Sequence, residues 1–148
     1  MNWNKIFIYN DGTLEKIHSK RKVGSINSDS YIQVEYNNTT YMMHRIIYEM
    51  HYGEIPIGLQ IDHFDRNPLN NKIENLRLAT QSQNRTNSGA PSNSSTGIKG
   101  VHKTPSGKYQ ARLGIDGIKL YIGLFDNKEE ADEAVTFVRR KLHGEFAT

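Results

Sequence analysis

The sequence predicts an α+β chain built from two small modules on a flexible tether, and three observations carry that reading. Residues 5–42 hold short β-type runs broken by turn pairs. Residues 43–87 pass from a helical pattern through strand, loop, strand and helix, and residues 98–143 hold three strands and a helix. Between them, residues 86–96 carry no charge and almost no apolar side chain. At 148 residues the chain has no room for a large core, so compact modules are expected.

In the first stretch Asp11-Gly12 follows the apolar run Ile6-Phe7-Ile8-Tyr9, and Asn37-Asn38 follows the run from Tyr31 to Tyr36, which reads as small hairpins. Lys20-Arg21-Lys22 between them is a charged turn that can also grip phosphates. From residue 43 to 52 Ile46, Ile47 and Met50 share a helical face, and Gly53 stands where a helix ends. His44 and His51 on that helix lie about 10.5 Å apart along the axis, too far to share one metal. His51 reads as a packing or surface residue, while His44 with Arg45 can face a site from behind.

Ile61-Asp62-His63-Phe64 reads as a strand end, Asp65-Arg66-Asn67-Pro68 as a turn, and Asn75-Leu76-Arg77-Leu78 as a returning strand. Thr80 with Gln83 is a capping-box signature for a short helix carrying Asn84. The linker 86–96 would span about 18 Å as a flexible coil and up to roughly 35 Å extended. Beyond it, Ser106-Gly107 and Asp116-Gly117 mark two hairpin turns, and the final helix is expected to bury Ala131, Ala134, Val135, Val138 and Leu142.

Bulk properties exclude several classes of function. With 19 Lys and Arg against 16 Asp and Glu, the net charge of +3 leans only weakly towards polyanionic partners. The absence of cysteine removes disulfides and thiolate zinc sites. There is no Gly-x-Ser-x-Gly turn and no Walker-type glycine loop, which argues against covalent or nucleotide-driven catalysis. The run at 6–9 is too short for a signal-peptide core or a membrane span, so a soluble cytoplasmic protein is expected, in the host cytoplasm if a phage encodes it.

What the chain does offer is a toolkit for cutting a phosphodiester. An Asp carboxylate and an Asn carbonyl are hard oxygen donors suited to Mg2+ or Mn2+, and an imidazole can take a proton from water near neutral pH. Asp62 and Asn84 would supply the metal ligands and His63 the base. Asn75 would hold the loop and orient His63. Adjacent strand residues point to opposite faces, so Asp62 and His63 can serve one phosphate only where the strand ends.

His44-Arg45, Asp62-His63-Phe64-Asp65, Asn70-Asn71, Asn75-Leu76-Arg77 and Asn84 together resemble the HNH endonuclease family, in its branch of phage-type homing endonucleases with a ββα-metal fold. The resemblance covers residues 43–87. It implies His63 as general base, Asp62 and Asn84 as metal ligands and Asn75 as the central structural Asn. The cysteine pairs of zinc-stabilised members are missing, so this module must rely on its own core.

In the last region strand alternation puts Lys108, Gln110 and Arg112 on one face, opposite Tyr109, Ala111, Leu113 and Ile115. Lys119 and Tyr121 likewise oppose Leu120, Ile122 and Leu124. Lys99, Lys103, Lys108, Arg112 and Lys119 stand against Asp116 alone, whereas the helical remainder is net acidic. A basic face of that kind can lie in a DNA groove. Gly97-Ile98-Lys99-Gly100-Val101, Ser106-Gly107-Lys108-Tyr109 and Tyr121-Ile122-Gly123-Leu124-Phe125 resemble the Apetala, or ethylene-response-factor (ERF), type of DNA-binding domain over residues 97–147. The resemblance implies Lys99, His102, Arg112, Lys119 and Tyr121 as DNA contacts. Thr104, Ser106 and Gly114 replace arginine or tryptophan of the plant members, so a target sequence does not carry over.

The expectation is therefore a nuclease module over 1–85, a linker over 86–96 and a DNA reader over 97–147. It would cut double-stranded DNA, nicking as a monomer and needing two copies or two events for a double-strand break. A non-catalytic DNA-binding regulator with a relic HNH fold is the alternative, and a ribonuclease a third.

Overall fold

The computed structural model describes residues 1–115 and 117–144, apart from the side chain of His143. Asp116, expected in a hairpin turn, and residues 145–147, expected to end the second module, lie outside the described residues. The fold is mixed α and β, and it divides into two compact units, Met1–Gln81 and Ser82–Thr148.

In the first unit β1 (Phe7–Asn10) and β2 (Thr13–Lys16) pair antiparallel, with β3 (Lys22–Val23) beside β2. Their turn needs two left-handed residues, and Asp11 and Gly12 supply φ of 44° and 84°. A second three-stranded sheet, β4 (Ser25–Ile26), β5 (Ile32–Tyr36) and β6 (Thr39–Met42), turns in the same manner at Asn37 and Asn38. Helix α1 (Met43–Tyr52) follows directly and stops where Gly53, at φ 86°, donates its N–H to the carbonyl of Glu49 at 3.1 Å.

Helix α1 buries Met43, Ile46 and Ile47 among Trp3, Phe7, Leu14, Val34, Ile55, Ile61 and Leu76. Trp3 stacks on Phe7, meets Tyr41 edge-on and donates its indole N–H to Glu49 at 2.6 Å. The core of this cysteine-free module is thus aliphatic and aromatic, drawn from hairpins and helix together. Against it lies a two-stranded ribbon of β7 (Gln60–His63) and β8 (Leu76–Ala79), in the register Asp62 opposite Arg77 and His63 opposite Leu76. The loop 64–75 that joins them ends in a 3-10 turn, Ile73–Asn75.

The second unit takes in most of α2 (Gln81–Asn87), then β9 (Val101–Lys103), β10 (Tyr109–Ile115), β11 (Ile118–Phe125) and α3 (Lys128–His143). The division falls a few residues before the expected boundary at 85/86. Thr86 and Asn87, expected to open the linker, close α2 as buried residues. Lys99 reaches the end of this helix: its ammonium donates to the carbonyls of Arg85, Thr86 and Ser88 and to the Ser88 hydroxyl. A cation on the last carbonyls of a helix satisfies acceptors that have no partner within the helix itself.

The three strands form an antiparallel sheet in the order β11, β10, β9, and α3 packs Ala131 and Val135 on Val101 and Ala111. Asn127 caps α3, accepting from the N–H of Glu130 at 2.8 Å. Gly100 has φ 85°, and a Cβ there would stand 2.5 Å from the carbonyl oxygen of Arg112. Only glycine fits so close an approach.

Two expectations for this unit are corrected. Leu142 is 52% exposed while Arg139 is buried and donates to the carbonyl of Lys99 at 2.8 Å, because the last turns of α3 meet polar backbone ahead of β9. The second concerns Leu124. A bulge between Ala111 and Arg112 leaves Ile122 without a facing residue, so Gln110 faces Leu124 while Arg112 faces Tyr121. Leu124 therefore turns to the side of Tyr121 and is exposed.

Candidate functional site

Asp62 and His63 close β7, and both are buried, at 4% and 6% exposure. Pleating sends them to opposite faces. On one face Asp62 Oδ2 accepts from Arg77 Nε at 2.8 Å, and the Arg77 guanidinium lies 4.8 Å over the Phe64 ring. On the other, the His63 ring meets His44 edge-on at 5.2 Å and Tyr31 at 6.0 Å. The two are the last residues of the strand, where the chain leaves the ribbon for the turn.

His63 Nε2 lies 3.2 Å from Asn71 Oδ1, and Asn71 is 1% exposed. Burial pushes the His63 pKa down, outweighing the opposing effects of Asn71, Asp65 and Asp62. The imidazole is therefore neutral at neutral pH, the form in which it can accept a proton. His44 is pushed down further, to about 3, by its own burial and then by the neighbouring His63 and Arg45. Its Nδ1 is buried with no hydrogen-bond partner among the described residues.

The loop 64–75 is held by Asn75, which is 7% exposed. Asn75 Oδ1 accepts from the N–H of Asp65 at 3.0 Å, and its amide donates to Asp65 Oδ1 at 2.9 Å and to the carbonyl of Asn70 at 2.8 Å. Its own carbonyl accepts from the N–H of Phe64 at 2.9 Å. Asp65 collects further bonds from the N–H of Asn67 at 2.8 Å and from Asn70 Nδ2 at 2.7 Å. Burial works against the charge on Asp65, yet the bonds from Asn70, Asn67 and Asn75 hold its carboxyl below the usual range. Both oxygens of Asp65 thus accept bonds from the loop.

Of the expected site residues, the first unit brings Asp62, His63 and Asn75 into one neighbourhood. Asn84 stands on α2, in the second unit. Asn71, Arg77 and Tyr31 engage the site without having been assigned roles from sequence. Asn71 lay inside the quoted Asn70-Asn71 pair, and nothing in its spacing marks it as the partner of His63. Among the described residues no group of three His, Asp or Glu side chains is arranged so that it could hold a metal ion. The oxygen donors at hand, one buried carboxylate and side-chain amides, fit a hard divalent cation that keeps most of its own water.

On the sheet of the second unit the register brings His102 opposite Gln110, Gln110 opposite Leu124, Arg112 opposite Tyr121 and Gly114 opposite Lys119. His102, Arg112, Lys119 and Tyr121 therefore share one face, and all four are exposed. Lys99 precedes β9 and ends on α2. No helix among the described residues is long and apolar enough to cross a membrane.

Residues 41–86 match the model of an HNH endonuclease family. The chain is 37% identical over 115 residues to an uncharacterized HNH endonuclease, L560, of Acanthamoeba polyphaga mimivirus, covering 77% of this chain and 59% of that relative's length. It is 36% identical over 109 residues to Protein 3.8 of Escherichia phage T7, covering 70% of this chain and 86% of the relative. Among solved structures it resembles the HNH homing endonuclease I-HmuI, described for DNA binding and cleavage, at 29% identity and a TM-score of 0.47, over 55% of this chain and 51% of that one. Residues 41–86, which carry Asp62, His63, Asn75 and Asn84, thus hold an HNH endonuclease domain.

Proposed function

We propose that this protein is a metal-dependent endonuclease that hydrolyses phosphodiester bonds in double-stranded DNA. The observation that carries the proposal is the buried imidazole of His63, which its burial favours in the neutral form, next along the strand end to the buried carboxylate of Asp62. His63 takes a proton from a water molecule as the water oxygen bonds to phosphorus and the ester oxygen leaves. Asp62 and Asn84 hold a divalent cation, Mg2+ or Mn2+. When bound, such a cation stabilises the charge that grows on the phosphate and on the leaving oxygen. Asn75 keeps the loop in the shape that presents His63. Arg77 holds one oxygen of Asp62 and so limits how that carboxylate can turn.

The second unit acts as a DNA reader of Apetala/ERF type over residues 97–147, with His102, Arg112, Lys119 and Tyr121 facing the duplex. Lys99 belongs to the same set of DNA contacts, and its ammonium also meets the carbonyls that end α2. With one such site per chain, a monomer nicks, and a double-strand break takes two copies or two events. The family and the chemistry of the site support this reading over that of a non-catalytic DNA-binding regulator.

The experiment is a plasmid assay with added Mg2+. His63→Ala is expected to lower cleavage at least about 100-fold, the usual contribution of a general base, while DNA binding persists. Unchanged cutting by that variant, or cutting by the wild type in the presence of a chelator, would overturn the proposal. Linear product appearing without an open-circle intermediate at low enzyme concentration would overturn the monomer.

A further inference from the structure

We infer that Arg66 is a DNA-binding residue whose guanidinium grips a backbone phosphate beside the one that is cut. The inference rests on the cutting role proposed above for Asp62 and His63. It starts from a conflict between this side chain and its own backbone. Arg66 is held at φ 63°, in the left-handed region that penalises an ordinary side chain and suits glycine or asparagine. The conformation belongs to the turn that ends β7, in which the N–H of Arg66 donates to the carbonyl of His63 at 2.9 Å. A glycine would close the same turn without the penalty.

The fold makes no use of the Arg66 side chain. It is exposed, and among the described residues no carboxylate pairs with it: Asp62 is taken by Arg77, and Asp11 by Lys72. Its chain neighbour Asp65 accepts instead from the N–H of Asn67, from Asn70 and from Asn75. Asn67 also turns back on the loop, accepting from the N–H of Leu69 at 3.1 Å. The polar side chains on either side of Arg66 are thus engaged, while the guanidinium is left to solvent three residues beyond His63. A strained residue with no partner inside the chain points to a partner outside it. For a guanidinium that partner is an anion, and its place in the chain says which. DNA seated with one phosphate at Asp62 and His63 carries the next phosphates past this turn. There they meet the charge of Asp65, which amides and a backbone N–H hold but no cation neutralises. The Arg66 fork supplies the missing cation and can reach a phosphate through two parallel N–H···O bonds.

The test reads stability and DNA binding separately, on the full chain and with a chelator present so that the duplex stays intact. Arg66→Gly is expected to raise the thermal midpoint, followed by the fluorescence of Trp3, by about 4 °C. The same variant is expected to bind duplex DNA about fivefold more weakly and to lower the slope of log K against log salt by about 1. Arg66→Ala keeps the penalty at φ 63°, so it should lose the binding without gaining stability, and Arg66→Lys should keep the slope. Unchanged affinity and slope in Arg66→Gly and Arg66→Ala overturn the inference, and so does a midpoint that fails to rise in Arg66→Gly. The position of the phosphate is read by mapping the wild-type nick with Mg2+ and placing uncharged methylphosphonates on either side of it. The wild type should bind that duplex as weakly as Arg66→Ala binds ordinary DNA, and Arg66→Ala should bind it no more weakly. Fully additive losses put the contact elsewhere and overturn the inference. Normal cutting by His63→Ala would instead overturn His63 as the base and leave the phosphate contact of Arg66 standing.

Discussion

The polar residues of the two units are held in opposite ways. In the first, Asp62, His63, Asn71 and Asn75 are buried and each is bonded to a neighbour, so their geometry is set before any ligand arrives. In the second, His102, Arg112, Lys119 and Tyr121 stand exposed on one face of a sheet. The difference follows from the tasks proposed for them. A group that must place one proton loses rate if it wanders, which favours a rigid shell. Cations that meet a phosphate backbone gain from release of counterions and tolerate freedom of the side chain.

The largest effect should come from loosening the rigid side. Asn75→Ala removes three side-chain hydrogen bonds and leaves the N–H of Asp65 and the carbonyl of Asn70 without that partner. A loss of about 3 kcal/mol in stability is expected, since each orphaned group costs about 1–3 kcal/mol. Urea denaturation followed by the fluorescence of Trp3, the sole tryptophan and a core residue of the first unit, measures it. A change below about 0.5 kcal/mol, the range of an ordinary surface substitution, would break the claim that this unit is preorganised by its polar bonds.

The exposed side should respond in binding instead. Arg112→Ala combined with Lys119→Ala is expected to weaken DNA affinity about tenfold and to lower the slope of log K against log salt by about 2. Cleavage at saturating DNA should keep the wild-type kcat. An unchanged slope would remove this face from the DNA interface, and a fall in kcat at saturation would erase the distinction between the units.

How far the sequence revealed these two regions depended on whether a residue acts through a local pattern or a distant contact. Asp62-His63 at a strand end, the helix at 43–52 and the hairpin turns at Asp11-Gly12 and Asn37-Asn38 were legible, because pairing period and turn chemistry are local. The contact of Asn71 with His63 was not legible, since that bond depends on a loop fold set by Asn75. Tyr31 comes to His63 from the residue just ahead of β5, distant in the chain. The bulge that turns Leu124 outward breaks the strict alternation on which the reading of β11 relied. Lys99, read as one cation of a basic stretch, ends on the carbonyls of α2, a contact made across 11 to 14 residues of chain.

Acid provides the finest test of the contrast, because the first unit buries histidines as neutral groups. His44, packed between Tyr31 and His63 with Arg45 beside it, falls from an unfolded value of 6.5 to about 3 in the fold. A depressed histidine means that the unfolded chain binds more protons between those two values. The contribution of His44 to stability is therefore complete above pH 6.5 and is lost as the pH falls through the window towards 3. The slope for one such group is at most about 1.4 kcal/mol per pH unit. His44→Phe keeps an aromatic ring in the cluster and removes the titration. Its stability, read from Trp3 fluorescence at pH 6 and pH 5, is expected to fall less than that of the wild type by up to about that amount. Parallel curves for the two proteins would mean that His44 takes up its proton without strain, and that the first unit is less tightly closed around His63 than its burial implies.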